Sequence, residues 1–263
     1  MHPHIHTFLP SSSPDISLEC RIYLPSAVTS TSLGPSLSME ADSEPIPLER
    51  IDKAALRDWG INRLITAAHP WARLGGNMLF PVIAHHLPRA VYDANCPAAI
   101  ATFNVRGVGL SEGSQPWPGW GIGSDGEDFG AVERAVLGLL GDVAVYRLGY
   151  SYGTNLVLSA PPPNLRRTML VSPAPTLFKA MTVMCGPTFQ QSLDAALNAA
   201  PDGETIWAVY GTSDEFTGVS TLRALGGRRA DLIHKVEIEG CGHFYARGED
   251  GRSLRSAIEE WIA

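Results

Sequence analysis

The pentapeptide Gly149-Tyr150-Ser151-Tyr152-Gly153 follows the apolar run Val143 to Leu148 and precedes the helix-forming stretch Thr154 to Ser159. A buried strand that turns at once into a helix leaves little room for side chains at the turn. The glycines supply that room, since a Cβ at either position would press on the neighbouring strand or helix. The residue at the apex, Ser151, is then held on a strained turn with its hydroxyl projecting, the arrangement of a nucleophile elbow. The pattern alone arises by chance often enough that its weight depends on whether an acid and a histidine come later in the chain.

From Ile61 onward, strand and helix signals alternate. Strands are predicted over Ile61–Ala68, Ala98–Phe103, Val143–Leu148, Arg167–Val171, Thr205–Tyr210 and Leu232–Ile238. Helices are predicted over Asn77–Leu87, Asp128–Leu140, Thr188–Ala199 and Ser253–Ile262. Such alternation predicts an α/β fold: a mostly parallel central sheet covered by helices on both faces, with ligands bound at the carboxyl ends of the strands. Upstream, Ile16–Leu24 reads as an antiparallel edge strand and Arg50–Trp59 as a short helix. Residues 26–47, rich in Ser, Thr and Pro, read as a mobile loop or insertion. Residues 1–263 are read as one domain.

The residues beyond the elbow supply what a serine hydroxyl lacks. At neutral pH it is a poor nucleophile and needs a histidine base oriented by a carboxylate. The turn after Thr205–Tyr210 reads Gly211-Thr-Ser-Asp214-Glu215, and the turn after Leu232–Ile238 reads Glu239-Gly-Cys-Gly-His243. An acid and a histidine thus follow the serine in order, each at a strand end. We assign Ser151 as nucleophile, His243 as general base and acid, and Asp214 as the orienting carboxylate, with Glu215 its competitor. An oxyanion needs two backbone N–H donors. Tyr152, after the nucleophile, is one candidate. Trp71, in the loop after Ile61–Ala68, is the other, because Pro70 has no N–H. His69 reads as a structural histidine bonding loop carbonyls.

Taken together, His69-Pro-x(4)-Gly-Gly-Asn-Met78, Phe103-Asn-Val-Arg-Gly-Val-Gly-Leu-Ser-Glu-Gly113, the Gly149–Gly153 elbow, Gly211–Asp214 and Gly242-His-Phe244 resemble the small α/β-hydrolase-fold serine hydrolases. The likeness is to the group near dienelactone hydrolase and the prolyl-oligopeptidase-type hydrolases, and it spans roughly residues 61–245. It implies the α/β-hydrolase fold and a cofactor-independent enzyme cleaving a small or medium ester, thioester or amide through an acyl-enzyme. Acyl transfer and peptide cleavage use the same triad, and a non-catalytic ligand-binding receptor is the rival of another class. In this fold a lid separates the strands ending near Val171 and starting near Thr205. Here the segment 172–204 is short, which predicts an open site.

Substrate-pocket candidates are Tyr150, Phe178 and Met181, joined by Trp120 on the opposite rim; Leu177, Met184, Phe189 and Trp117 are further apolar candidates nearby. Arg106 reads as a structural residue bonding loop carbonyls. His2, His4 and His6 alternate as a weak chelate would, but read better as a frayed terminus, so no metal is expected. The net charge of −7, without a basic cluster, argues against nucleic acid and anionic membranes as partners. No apolar run approaches the roughly 20 residues of a membrane span. The start of the chain lacks a signal-peptide pattern, and the four scattered cysteines read as reduced thiols. A cytoplasmic protein with a small-molecule acyl substrate is the expectation.

Overall fold

A computed structural model describes residues 4–25, 38, 43–115, 121–158, 164–175, 189–199 and 205–263. Among the described residues eight strands form one sheet: β1 (His4–Pro10), β2 (Ser17–Tyr23), β3 (Arg63–Ala68), β4 (Ala98–Phe103), β5 (Ala144–Tyr150), β6 (Leu165–Val171), β7 (Thr205–Gly211) and β8 (Ile233–Ile238). Their spatial order is β1-β2-β4-β3-β5-β6-β7-β8. β1 and β2 pair antiparallel, β2 meets β4 antiparallel, and every pair from β4 to β8 is parallel.

Alternate residues of the central strands feed two separate cores, as a period of two requires. On one face Leu64, Ala68, Ala99 and Ala101 pack with Phe129, Val132 and Val136 of the helix Gly121–Leu140, and with Phe189 and Leu193 of Phe189–Ala199. On the other face Ile65, Ala67, Ala98 and Ile100 pack with Val82, Ile83 and Leu87, and with Leu254, Ile258 and Trp261 of the helix Gly248–Ile262. Among the described residues no helix is long and apolar enough to cross a membrane.

The structure departs from the sequence reading at several places. His4 and His6 do not lie in a frayed segment: His4–Pro10 is a fully paired strand, His4 opposite Tyr23, while His2 lies outside the described residues. His6 gives Nε2 to Glu19 at 2.9 Å. Because β1 covers its outer side, the strand over Ile16–Leu24 is the second in the sheet and not its edge. The helix expected over Asn77–Leu87 begins later. Asn77 Oδ1 accepts the Leu79 N–H and holds a turn, a wide π turn covers Val82–His86, and an α-helix follows over Leu87–Asp93. Pro88 explains the widening: it has no N–H to donate and its ring crowds the carbonyl four residues back. Finally, the 26–47 segment is anchored at its end. The Ile46 N–H donates to His6 O and Thr7 Oγ1 donates to Ile46 O; residues 26–37 and 39–42 lie outside the described residues.

Candidate active site

The site gathers at the carboxyl ends of β3, β5, β7 and β8. At the end of β5, Ser151 adopts φ +54°, a left-handed conformation costly for a side chain with a Cβ. The turn is locked from both sides. The Ser151 N–H donates to Val171 O at 2.9 Å, and Ser151 O accepts from Thr154 Oγ1 at 2.6 Å. A Cβ on Gly149 would lie 2.5 Å from Gly153 O, and one on Gly153 would lie 2.3 Å from Ala68 O. Both glycines are therefore required for the strand and helix to close on each other. Beneath the turn, Arg147 of β5 is buried against Glu133 (Nη2 to Oε1, 2.6 Å) and donates to Val157 O at 3.1 Å, at the end of the short elbow helix.

β7 and β8 deliver the acid and the histidine side by side. A Cβ on Gly211 would lie 2.0 Å from Cys241 O, so the two strand exits touch, and the Ser213 N–H donates to Cys241 O. Asp214 Oδ1 accepts the N–H groups of Phe216 and Thr217 at 2.9 and 3.0 Å, which fixes the carboxylate. Its Oδ2 lies 2.8 Å from His243 Nδ1, and His243 Nε2 lies 3.0 Å from Ser151 Oγ. An ionised carboxylate only accepts, so Nδ1 carries the proton and Nε2 is left to accept from the serine hydroxyl. Glu215 takes another position: its Oε2 accepts the His243 backbone N–H at 2.6 Å. Tyr150 donates its phenol to His243 O at 2.9 Å. The imidazole is walled edge-on by Phe216 and Phe244, with ring centroids at 4.6 and 5.3 Å. Cys241 is buried, and burial foremost pushes its thiol up to about 12, which leaves it no thiolate to attack with.

Trp71 and Tyr152 flank the serine from β3 and β5. Trp71 and Tyr150 both line the cleft over Ser151. The Tyr152 side chain turns away into the core, where its hydroxyl donates to Asp125 Oδ2 at 2.7 Å. His69 is buried and neutral, since burial pulls it down to about 4. One nitrogen donates to Pro70 O at 2.6 Å and the other accepts the Val105 N–H at 3.2 Å. Among the described residues Arg106 bonds no loop carbonyl but pairs with Asp128 (Nε to Oδ2, 2.7 Å) and donates to the hydroxyls of Ser12 and Ser13. The stronger charged acceptor, brought in by the Gly121–Leu140 helix, outcompetes neutral carbonyls.

The cleft holds about 440 Å³ of free space, part of it open to solvent, and its lining includes Phe80, Phe216, Phe244 and Leu74. Sequence patterning singles out none of these four. Phe216 and Phe244 stand beside Asp214 and His243 in the chain, which is the one cue the sequence offers; Phe80 and Leu74 become neighbours only through the fold. Phe178, Met181 and Trp120, with Leu177, Met184 and Trp117, lie outside the described residues. Phe189 is a core residue. Among the described residues, no group of three or more His, Cys, Asp or Glu side chains is arranged to hold a metal ion.

Solved structures with this architecture include an α/β serine hydrolase homologue from Coxiella burnetii (19% identical, covering 98% of this chain and 97% of that one, TM-score 0.66). Another is XC6422 from Xanthomonas campestris, an α/β serine hydrolase without a lid (18% identical, 98% and 94% covered, TM-score 0.64). A third is the esterase Pf2001 of Pyrococcus furiosus (11% identical, 99% and 93% covered, TM-score 0.62). No protein-family model matches the sequence, and no curated protein matches it. Likeness at such low identity speaks for the fold.

Proposed function

We propose that this chain, which has the α/β-hydrolase fold, is a serine hydrolase acting on small or medium carboxylic esters with an uncharged, apolar acyl group. One observation carries the reading: the unbroken line from Asp214 Oδ2 through His243 to Ser151 Oγ, at 2.8 and 3.0 Å, on a serine held at φ +54°. Strain at a residue with a Cβ is tolerated where surrounding structure enforces it, and such sites cluster at reacting centres.

In the proposed reaction Ser151 Oγ attacks the ester carbonyl while its proton passes to His243 Nε2. Asp214 stabilises the resulting imidazolium through Nδ1 and does not itself take the proton. The backbone N–H groups of Tyr152 and Trp71 receive the oxyanion. Collapse of the tetrahedral intermediate expels the alcohol, which takes the proton from His243 and leaves an acyl-serine. Water, deprotonated by the same nitrogen, then releases the acid and restores the serine. The lining of Pro70, Trp71, Leu74, Phe80, Tyr150, Phe216 and Phe244 offers an acyl chain apolar surface and no charged partner, which supports an uncharged acyl group. The hydrolase and esterase names of the neighbouring structures support ester cleavage.

Turnover of nitrophenyl esters from acetate to decanoate tests this. The wild type should hydrolyse them with an optimum in acyl length, and Ser151→Ala should lose nearly all turnover while remaining folded. Equal turnover in the two proteins would rule out the elbow as the reacting centre.

A further inference from the structure

The loop that carries Trp71 is clamped at both ends onto two consecutive residues at the exit of β4. At its entry, His69 Nε2 accepts the Val105 N–H at 3.2 Å. At its far end, the Met78 N–H donates to Asn104 Oδ1 at 2.8 Å. Between the clamps the backbone coils on itself. Trp71 O accepts from Leu74 N and Gly76 N at 3.0 and 3.1 Å, Gly75 takes φ +85°, and a Cβ on Gly76 would lie 2.1 Å from Pro70 O. A loop this tight has little internal freedom, so its position relative to Ser151 is set by where its ends are held.

The Asn104 clamp is itself oriented. Its Nδ2 donates to Glu19 Oε2 at 2.7 Å, and the same oxygen accepts the Leu110 N–H at 2.7 Å. Glu19 Oε1 faces His6 Nε2 at 2.9 Å. Asn104 and Glu19 are both buried. A carboxylate accepts only and a backbone N–H donates only, so the amide has one possible orientation. Gly109, at φ +56°, completes the packing: a Cβ there would lie 2.3 Å from both Asn104 Nδ2 and Glu19 Oε2. Of the common side chains this size, only an amide donates to Glu19 and accepts from Met78 at once.

We propose that Asn104, oriented by Glu19, is a positioning residue that holds the Trp71 loop at the height where its backbone N–H meets the oxyanion. The inference rests on the serine-hydrolase reading above and assigns to that reaction a residue distant from the triad in the chain. Removing the clamp leaves Ser151, His243 and Asp214 in place and loosens one oxyanion donor. Deleting an oxyanion donor outright costs on the order of 100- to 1,000-fold in kcat; displacing one should cost about 10- to 100-fold.

The test compares wild type, Asn104→Ala, Asn104→Asp and Glu19→Gln in nitrophenyl ester turnover. It also compares inhibition by a trifluoromethyl ketone, which forms a tetrahedral oxyanion adduct with the serine. Asn104→Asp keeps the acceptor for Met78 but sets a second carboxylate against Glu19. Glu19→Gln keeps an oxygen for Asn104 and Leu110. Both Asn104 variants should lose kcat about 10- to 100-fold with KM nearly unchanged, and should lose ketone affinity by the same factor. Glu19→Gln, whose remaining oxygen can still orient the amide, should lose less kcat than either Asn104 variant. Folded Asn104 variants with wild-type kcat, or a kcat loss unmatched by the ketone, would overturn the inference. So would loss of folding in both Asn104 variants at assay temperature, which would assign the residue to stability alone. Wild type that neither cleaves esters nor binds the ketone would overturn the hydrolase reading, and this inference with it.

Discussion

Asp125 is buried beside the elbow, and its replacement by Asn should make the protein more stable at neutral pH by an amount that varies with pH. One oxygen accepts the Tyr152 phenol at 2.7 Å, while Oδ1 is buried with no partner among the described residues. Burial, opposed by the Tyr152 hydrogen bond and reinforced by Asp128, pushes the carboxyl up from its ordinary 3.8 to about 6; Arg106 pulls weakly the other way. The folded state therefore binds this proton more tightly than the unfolded chain does. The associated stability is fully present below pH 3.8 and is lost as pH rises through about 6. At about 1.4 kcal/mol per pH unit, the span amounts to about 3 kcal/mol. Asparagine still accepts from Tyr152 and cannot ionise, so the variant escapes that loss, apart from a pH-independent cost for its unpaired NH2. Urea denaturation of both proteins at intervals from pH 4 to pH 8 isolates the effect, because carboxylates other than the coupled neighbour Asp128 contribute equally to each. The stability of Asp125→Asn minus that of wild type should rise by roughly 2 kcal/mol across that range, the rest of the span lying below pH 4, and level off above pH 7. A difference that stays flat would refute the reasoning, since it would mean that Asp125 has the same proton affinity folded and unfolded.

Two further perturbations separate roles that sequence alone leaves ambiguous. Asp214→Asn should lower kcat by roughly 10,000-fold by stabilising the wrong imidazole tautomer. Glu215→Gln, which keeps an acceptor for the His243 N–H, should stay within about threefold of wild type on the same ester, the bond it makes being to backbone and not to the ring. Glu133→Ala removes the carboxylate that faces the buried Arg147 guanidinium and should cost about 3–5 kcal/mol in urea denaturation. Replacing both members, Glu133→Leu with Arg147→Met, should recover most of it; a double variant no better than the single would place the cost in the lost packing of the helix against β5.

The parallel strands were legible because each is an apolar run ended by Gly, Pro or a polar turn, and because strands buried on both faces need no register to be recognised. β1 was not, for the opposite reason. Its His4 and His6 are buried through partners elsewhere in the chain, Tyr23 and Glu19, and nothing in His4–Pro10 itself announces them. The start of Gly121–Leu140 was hidden by Gly121, Gly123 and Gly126, which argue locally against helix, and the Gly/Pro-rich approach concealed that tertiary packing holds it. Ser151, Asp214 and His243 could be read from order and strand ends, and the structure brings the three side chains into contact. Which of Asp214 and Glu215 reaches the His243 ring turns on which oxygen the Phe216 and Thr217 N–H groups immobilise, a detail of the folded turn. The same holds for Arg106, whose partner Asp128 arrives on a later helix. The cleft was least legible, since Leu74, Phe80, Phe216 and Phe244 come from separate loops and share no periodicity.

Fluorophosphonate labelling followed by intact-mass and peptide analysis tests the central claim most directly, because the reagent reacts only where a serine is deprotonated and an oxyanion is received. A single adduct on the peptide containing Ser151, absent from Ser151→Ala and strongly slowed in His243→Ala, is the expected result. Folded wild-type protein that takes no label, or that is labelled equally after Ser151→Ala, would contradict the assignment of this elbow as a working nucleophile.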